Sequence, residues 1–187
     1  RLLAGFELAF AGRRMVGLPE NLARALVDSG RSSLELRVRL GDDAATAEAI
    51  ALLANGSAAV DERIAMARTL GEVKATDSLE PLLAVSLTAE DSRLQRAALT
   101  DVSTFDEPSV AQRVLVHFAQ FSEEVRPAFF DLLLSRTGWT RELVNAIAEG
   151  AIAPAGVPSD VAQQLRTHTN ADIASLAVQH LGEVTQL

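Results

Sequence analysis

No cysteine occurs in the 187 residues. Disulfides, thiolate zinc sites, cysteine nucleophiles and covalent haem attachment are therefore excluded within them. Tyrosine is also absent, tryptophan occurs once, and aromatics reach only 4%. A β-sandwich or barrel draws on aromatic and β-branched side chains, so this balance disfavours both. Lysine is as scarce: Lys74 stands alone beside 16 arginines, and the net charge is −8. An acidic chain without a basic cluster fits nucleic acid poorly, because that binding rests on neutralising phosphates. No apolar run approaches the roughly 20 residues of a membrane-spanning helix. Alanine, by contrast, is plentiful at 32 residues, which favours helices packed closely through small side chains.

Internal repetition organises the chain. Four segments share one pattern: "ERIAMARTLG" from Glu62, "LQRAALTDVS" from Leu94, "VRPAFFDLLL" from Val125 and "IASLAVQHLG" from Ile173, at offsets of 32, 31 and 48. A second family lies between them: "DSLEPLLAVSL" from Asp77, "PSVAQRVLVHF" from Pro108 and "TRELVNAIAEG" from Thr140. Two helix types alternating every 31–33 residues are the mark of an α-solenoid of antiparallel helix pairs. The larger last offset comes from a Pro/Gly/Ala loop, "AIAPAGVPS" (151–159), and a short helical stretch from Asp160 to His168. The expectation is one all-α domain over 1–187. It comprises irregular N-terminal helices (1–43), regular repeats (44–150) and a last repeat carrying the inserted loop and short helix (151–187). Leu34, Leu36, Val38 and Leu40 alternate as a short strand would, the one place where the pattern departs from helix.

Spacing and punctuation support the helices. Leu79, Leu82, Leu83 and Leu87 form one stripe. In 122–134, Val125, Phe129, Phe130, Leu132, Leu133 and Leu134 wrap most of the circumference, which predicts a helix buried on several sides. Ser122 and Asp172 read as caps, Gly71, Gly150 and Gly182 as helix ends, and Pro81 as a kink within its helix. Arg1 rather than Met opens the chain and helical patterns reach both ends, so the sequence reads as a piece of a longer protein.

Chemical motifs are few. His117, His168 and His180 lie at least twelve residues apart, too far for paired i, i+4 zinc ligands. Phosphate-cradling loops and nucleophile elbows have no match. Asp42–Asp43, Glu90–Asp91 and Glu123–Glu124 each precede a helix, where negative charge complements the dipole. Arg63, Arg93 and Arg126 take early positions in successive helices of the first family. With Asp61, Asp91 and Glu123 they suit an inter-repeat ladder, or else a ligand-binding concave strip. At the C-terminal end a stripe from Ile173 runs through Leu176, Ala177, His180 and Leu181 to Val184 and Leu187, with Val178 beside it. A solenoid normally ends in a helix with a polar outer face, so Val178, Val184 and Leu187 are expected to dock a neighbouring domain; the alternative is that the whole stripe turns inward against Val161 and Leu165, leaving nothing to dock.

These repeats resemble HEAT repeats. The chain is moreover similar to the helical region of planctomycete-type multidomain proteins, in which a dehydrogenase-like β-propeller precedes HEAT repeats and a c-type cytochrome domain follows. The matching stretches are "FAGRRMVGLPENLARAL" (10–26), "LELRVRLGD" (34–42), "RPAFFDLLLSRTGW" (126–139), "LVNAIAEGAIAP" (143–154) and "LRTHTNADIASLAVQHLG" (165–182). The Gly-Ala-Ile-Ala-Pro loop is the most specific of these features. The propeller and the CxxCH motif are absent here, so no haem-binding or catalytic residue carries over. The resemblance implies a non-catalytic spacer, no cofactor in this chain, haem c only in a neighbouring domain, and an extracytoplasmic, periplasmic setting. Outside the resemblance the default setting is cytoplasmic. The alternatives are a free-standing adaptor gripping a partner protein in its concave face and a HEAT-like DNA glycosylase. The acidic, aromatic-poor composition opposes the glycosylase.

Overall fold

Helix caps divide the chain into its elements. The computed structural model describes residues 32–182, together with Asn21. The helices expected within 1–31, and Val184 and Leu187 of the C-terminal stripe, lie outside the described residues. Those described form ten α-helices and three short 3₁₀ turns, with no strand among them. They fall into two compact units, one ending at Phe105 and the other beginning at Asp106.

The first unit contains α1 (Leu34–Arg39), α2 (Asp43–Ala54), α3 (Val60–Val73), α4 (Leu79–Thr88) and α5 (Ser92–Val102). The strand-like alternation at 34–40 is helical. Ser33 Oγ accepts the Leu36 N–H at 3.2 Å, Glu35 lies in the first turn and Arg37 and Arg39 in the last. A cap and charges that complement the dipole at both ends outweigh a four-residue alternation. Asp42 caps α2 by accepting the Ala45 N–H at 3.1 Å. Asp91 caps α5, taking the N–H groups of Arg93 (2.9 Å) and Leu94 (3.2 Å). Pro81 is the third residue of α4, where no intrahelical donor is lost, so it starts the helix rather than kinking it.

Packing in this unit pairs α2 with α3 and α4 with α5, then sets α2 against α4 and α3 against α5. Small side chains allow the approach: Ala45 and Ala49 on α2, Ala67 on α3 and Ala98 on α5 are fully buried between Leu53, Leu70, Leu94 and Leu99. Gly71 does not end α3 as the sequence suggests. It lies buried inside the helix, and a Cβ there would stand 2.7 Å from the Asp101 Cβ on α5. The glycine permits close helix contact, and Thr104 Oγ1 donates to the Gly71 carbonyl at 3.1 Å across the same seam. The helix ends instead at Lys74, whose φ of 51° is left-handed.

The second unit contains α6 (Ser109–Leu115), α7 (Arg126–Leu134), α8 (Thr137–Ala148), α9 (Ser159–Arg166) and α10 (Ala171–Leu181). Here α8 is the hub, packed against α6, α7 and α10, while α9 lies on α10. As its pattern predicts, α7 is buried on several sides, with Phe129, Phe130, Leu132 and Leu133 at most 1% exposed. Four phenylalanines gather there. Phe129 lies 5.1 Å from Phe118, 5.6 Å from Phe121 and 5.1 Å from Phe130 between ring centroids. The loop after α8 is pinned by buried Ile152 and Val157 and turns through Pro154–Gly156. Asn170, not Asp172, caps α10, its Oδ1 accepting the N–H groups of Asp172 and Ile173. At the other end of α10, Arg166 donates to the carbonyls of Leu181 and Gly182, both at 2.7 Å.

Candidate functional site

The expected arginine ladder resolves into three different environments. Arg93 keeps the expected partners, with Nη1 3.2 Å from Asp61 Oδ1 and Nη2 3.3 Å from Asp91 Oδ2. The hydrogen bond from Arg93 holds the Asp91 carboxyl below the usual carboxylate range, and the same contact raises Arg93. Arg63 instead donates through Nε to the Leu53 carbonyl at 2.8 Å, closing the end of α2. Arg126, in the second unit, lies with Cζ 5.1 Å above the Phe118 ring. Its Nε is buried without a hydrogen-bond partner. A ladder needs the same partner at each step. Here a carbonyl captures one arginine and an aromatic face another.

A charge cluster that sequence reasoning missed lies in the first unit. Arg39 Nε and Nη2 donate to Glu72 Oε2 at 3.0 and 2.9 Å, both side chains largely covered. Nearby, burial pushes the Asp101 carboxyl up to about 7. The Glu72 charge adds to the rise and Arg68 opposes it. The only hint in the sequence is a 30-residue spacing between Gly71 and Asp101, visible once the repeat is known. In the second unit Arg136 lies 3.5 Å from Asp106 and stacks its Cζ 4.9 Å from the Trp139 ring.

The three histidines lie in separate surroundings. His117 Nδ1 lies 2.9 Å from the Arg113 carbonyl, a geometry that requires the proton on that nitrogen. His168 Nδ1 accepts the Asn170 N–H at 3.0 Å, and His180 sits half-buried in the last turn of α10. No group of three or more His, Asp or Glu suited to a metal ion occurs among the described residues. Of the expected docking residues, Val178 is 37% exposed on α10, while Ile173 and Ala177 turn inward.

Several concavities among the described residues combine charge and apolar surface. In the second unit the loop after α8 faces the start of α7 across a cavity of about 260 Å³. Arg126, Pro127 and Phe130 line one side, Val157 and Pro158 the other, with exposed Glu123 at the rim. Among the described residues, none of the helices is long and apolar enough to cross a membrane. Comparison with known protein families, curated proteins and solved structures returns no match.

Proposed function

We propose that this chain is a non-catalytic HEAT-like helical-repeat scaffold. In this reading it spaces and orients the neighbouring domains of a larger redox protein, a dehydrogenase-like propeller and a c-type cytochrome. The observation that carries the scaffold reading is the span of its polar cross-links. Arg39 to Glu72 and Thr104 to Gly71 each join residues 33 apart, Arg93 to Asp61 32 apart and Gln112 to Glu142 30 apart. The same spacing separates like helices in the sequence. A stack of like units ties each residue to its counterpart one unit away, and such stacks serve as spacers and extended binding surfaces. The redox setting rests on the resemblance of the sequence alone.

Val178 is the described residue of the face that would meet the cytochrome; Val184 and Leu187, read from the sequence as part of it, lie outside the described residues. The test is made in the parent gene product. Replacing residues 32–182 with a flexible linker of equal length should leave the haem spectrum intact and slow electron transfer from propeller to haem. Unchanged transfer would exclude a positioning role. Hydrogen exchange over 173–182 should be slower in the parent than in the 187-residue chain; equal protection would remove α10 from the docking face.

A further inference from the structure

The cavity between α7 and the loop at 151–158 has a use that a spacer does not require. We infer that it binds a carboxylate carried on a short branched apolar stem. Arg126 carries the argument: it lines the cavity, its guanidinium rests on Phe118, and it makes no ion pair among the described residues. A planar fork of donors also matches a carboxylate better than any other small anion except phosphate. The walls favour a carboxylate on a hydrocarbon stem over phosphate. Pro127, Phe130, Val157 and Pro158 present hydrocarbon, which a fully hydrated dianion gains nothing by touching.

Size limits the ligand further. The space of about 260 Å³ falls just under the roughly 300–1,000 Å³ of pockets for drug-sized molecules, so it suits one branched aliphatic group plus its carboxylate. Both sides of the cavity are fixed by packing. Phe130 is 1% exposed and Val157 9%, and Gly156 comes so close to Phe118 that a Cβ there would lie 3.8 Å from the ring. The loop therefore sits against the surface that supports Arg126. Glu123, exposed at the rim, acts as a selector by repelling ligands of higher negative charge. A carboxylate of this kind has two sources, a free branched-chain acid or the C-terminal residue of a peptide.

Calorimetric titration of the 187-residue chain tests the inference. The probes are 4-methylpentanoate, isopentylamine, and a tripeptide ending in leucine with either a free or an amidated C-terminus. Saturable binding of the acid or the free-ended peptide is expected, with none of the amine or the amide. Tighter binding of the peptide identifies a chain terminus as the ligand, and tighter binding of the acid identifies a small metabolite. Arg126→Gln should weaken binding by about tenfold or more, as loss of a charge-assisted hydrogen bond does, and Glu123→Gln should strengthen it. Ala155→Trp fills the cavity from the loop side with Arg126 in place, so it decides the matter if Arg126→Gln fails to fold. Its expected effect is loss of binding with an unchanged melting curve. Equal affinity for acid and amide, binding indifferent to Ala155→Trp, or no saturation at millimolar ligand would each overturn the inference.

Discussion

The two units solve the same packing problem with different chemistry. In the first, α3 and α5 approach through Gly71, Ala67 and Ala98, and the seam carries Asp101 and the Arg39–Glu72 pair. In the second, rings fill the space: Phe118, Phe121, Phe129 and Phe130 form one cluster, and Trp139 lies under Arg136. Close approach leaves no room for substitution but brings polar backbone and carboxylates into the seam. Ring packing holds the helices through large side chains, and the Arg126 cavity lies beside that cluster, against Phe130.

Emptying the aromatic cluster should have the largest effect. Phe129→Ala is expected to cost about 3–5 kcal/mol, the usual result of removing a buried ring, read as a lowered urea midpoint. A midpoint near that of the parent chain would show that the ring cluster does not govern the second unit. The seam of the first unit should respond to pH instead. Folding raises the Asp101 carboxyl from its ordinary value near 3.8 to about 7. Below about pH 3 it is protonated in both states and costs nothing. From about pH 3 upward the unfolded chain ionises first and stability falls as the pH rises through 7, by up to about 4 kcal/mol, levelling off above about pH 8. Asp101→Asn should flatten that part of the pH profile, and an unchanged slope would assign it to other carboxylates.

Gly71→Ala sharpens the contrast at smaller scale. The added methyl meets the Asp101 Cβ itself, so an overpacking cost of about 1–3 kcal/mol is expected, and Asp101→Ala should not relieve it. Gly138→Ala, which enters open space on α8, should instead gain about 0.5 kcal/mol. Thermal melts of the two variants moving in the same direction would show that the seam is looser than its geometry. The smallest effect belongs to Arg93→Ala. Its ion pairs are exposed, and such pairs contribute little, so its denaturation midpoint should coincide with that of the parent chain. A clear loss, reversed by high salt in neither variant nor parent, would reveal a structural role.

Much of this architecture was legible because it is local. The turn of α7 that buries Phe129 and Phe130, and the caps Asp42 and Asp91, follow from residues within one helix and its entry. Gly71 misled because glycine at a helix end and glycine at a helix crossing look alike until the facing Asp101 is known. Lys74 took the terminus although lysine rarely adopts a left-handed backbone. The ladder was read from position alone. Position cannot tell that the Leu53 carbonyl is nearer to Arg63 than any carboxylate, or that Phe118 underlies Arg126. Asn170 and Asp172 both suit a cap, and the one that starts the helix is set by where the preceding turn places it.

Lys74 has a practical consequence as well. It is exposed, and it is the sole lysine of the sequence, so amine-directed reagents have one side chain to modify. A single ε-amino label would report from the turn between α3 and α4, close in sequence to the Gly71–Asp101 seam. A lysine-specific protease would have one bond to cut, after residue 74. The yield of the 75–187 fragment would then be a direct clock for the opening of the left-handed turn that ends α3.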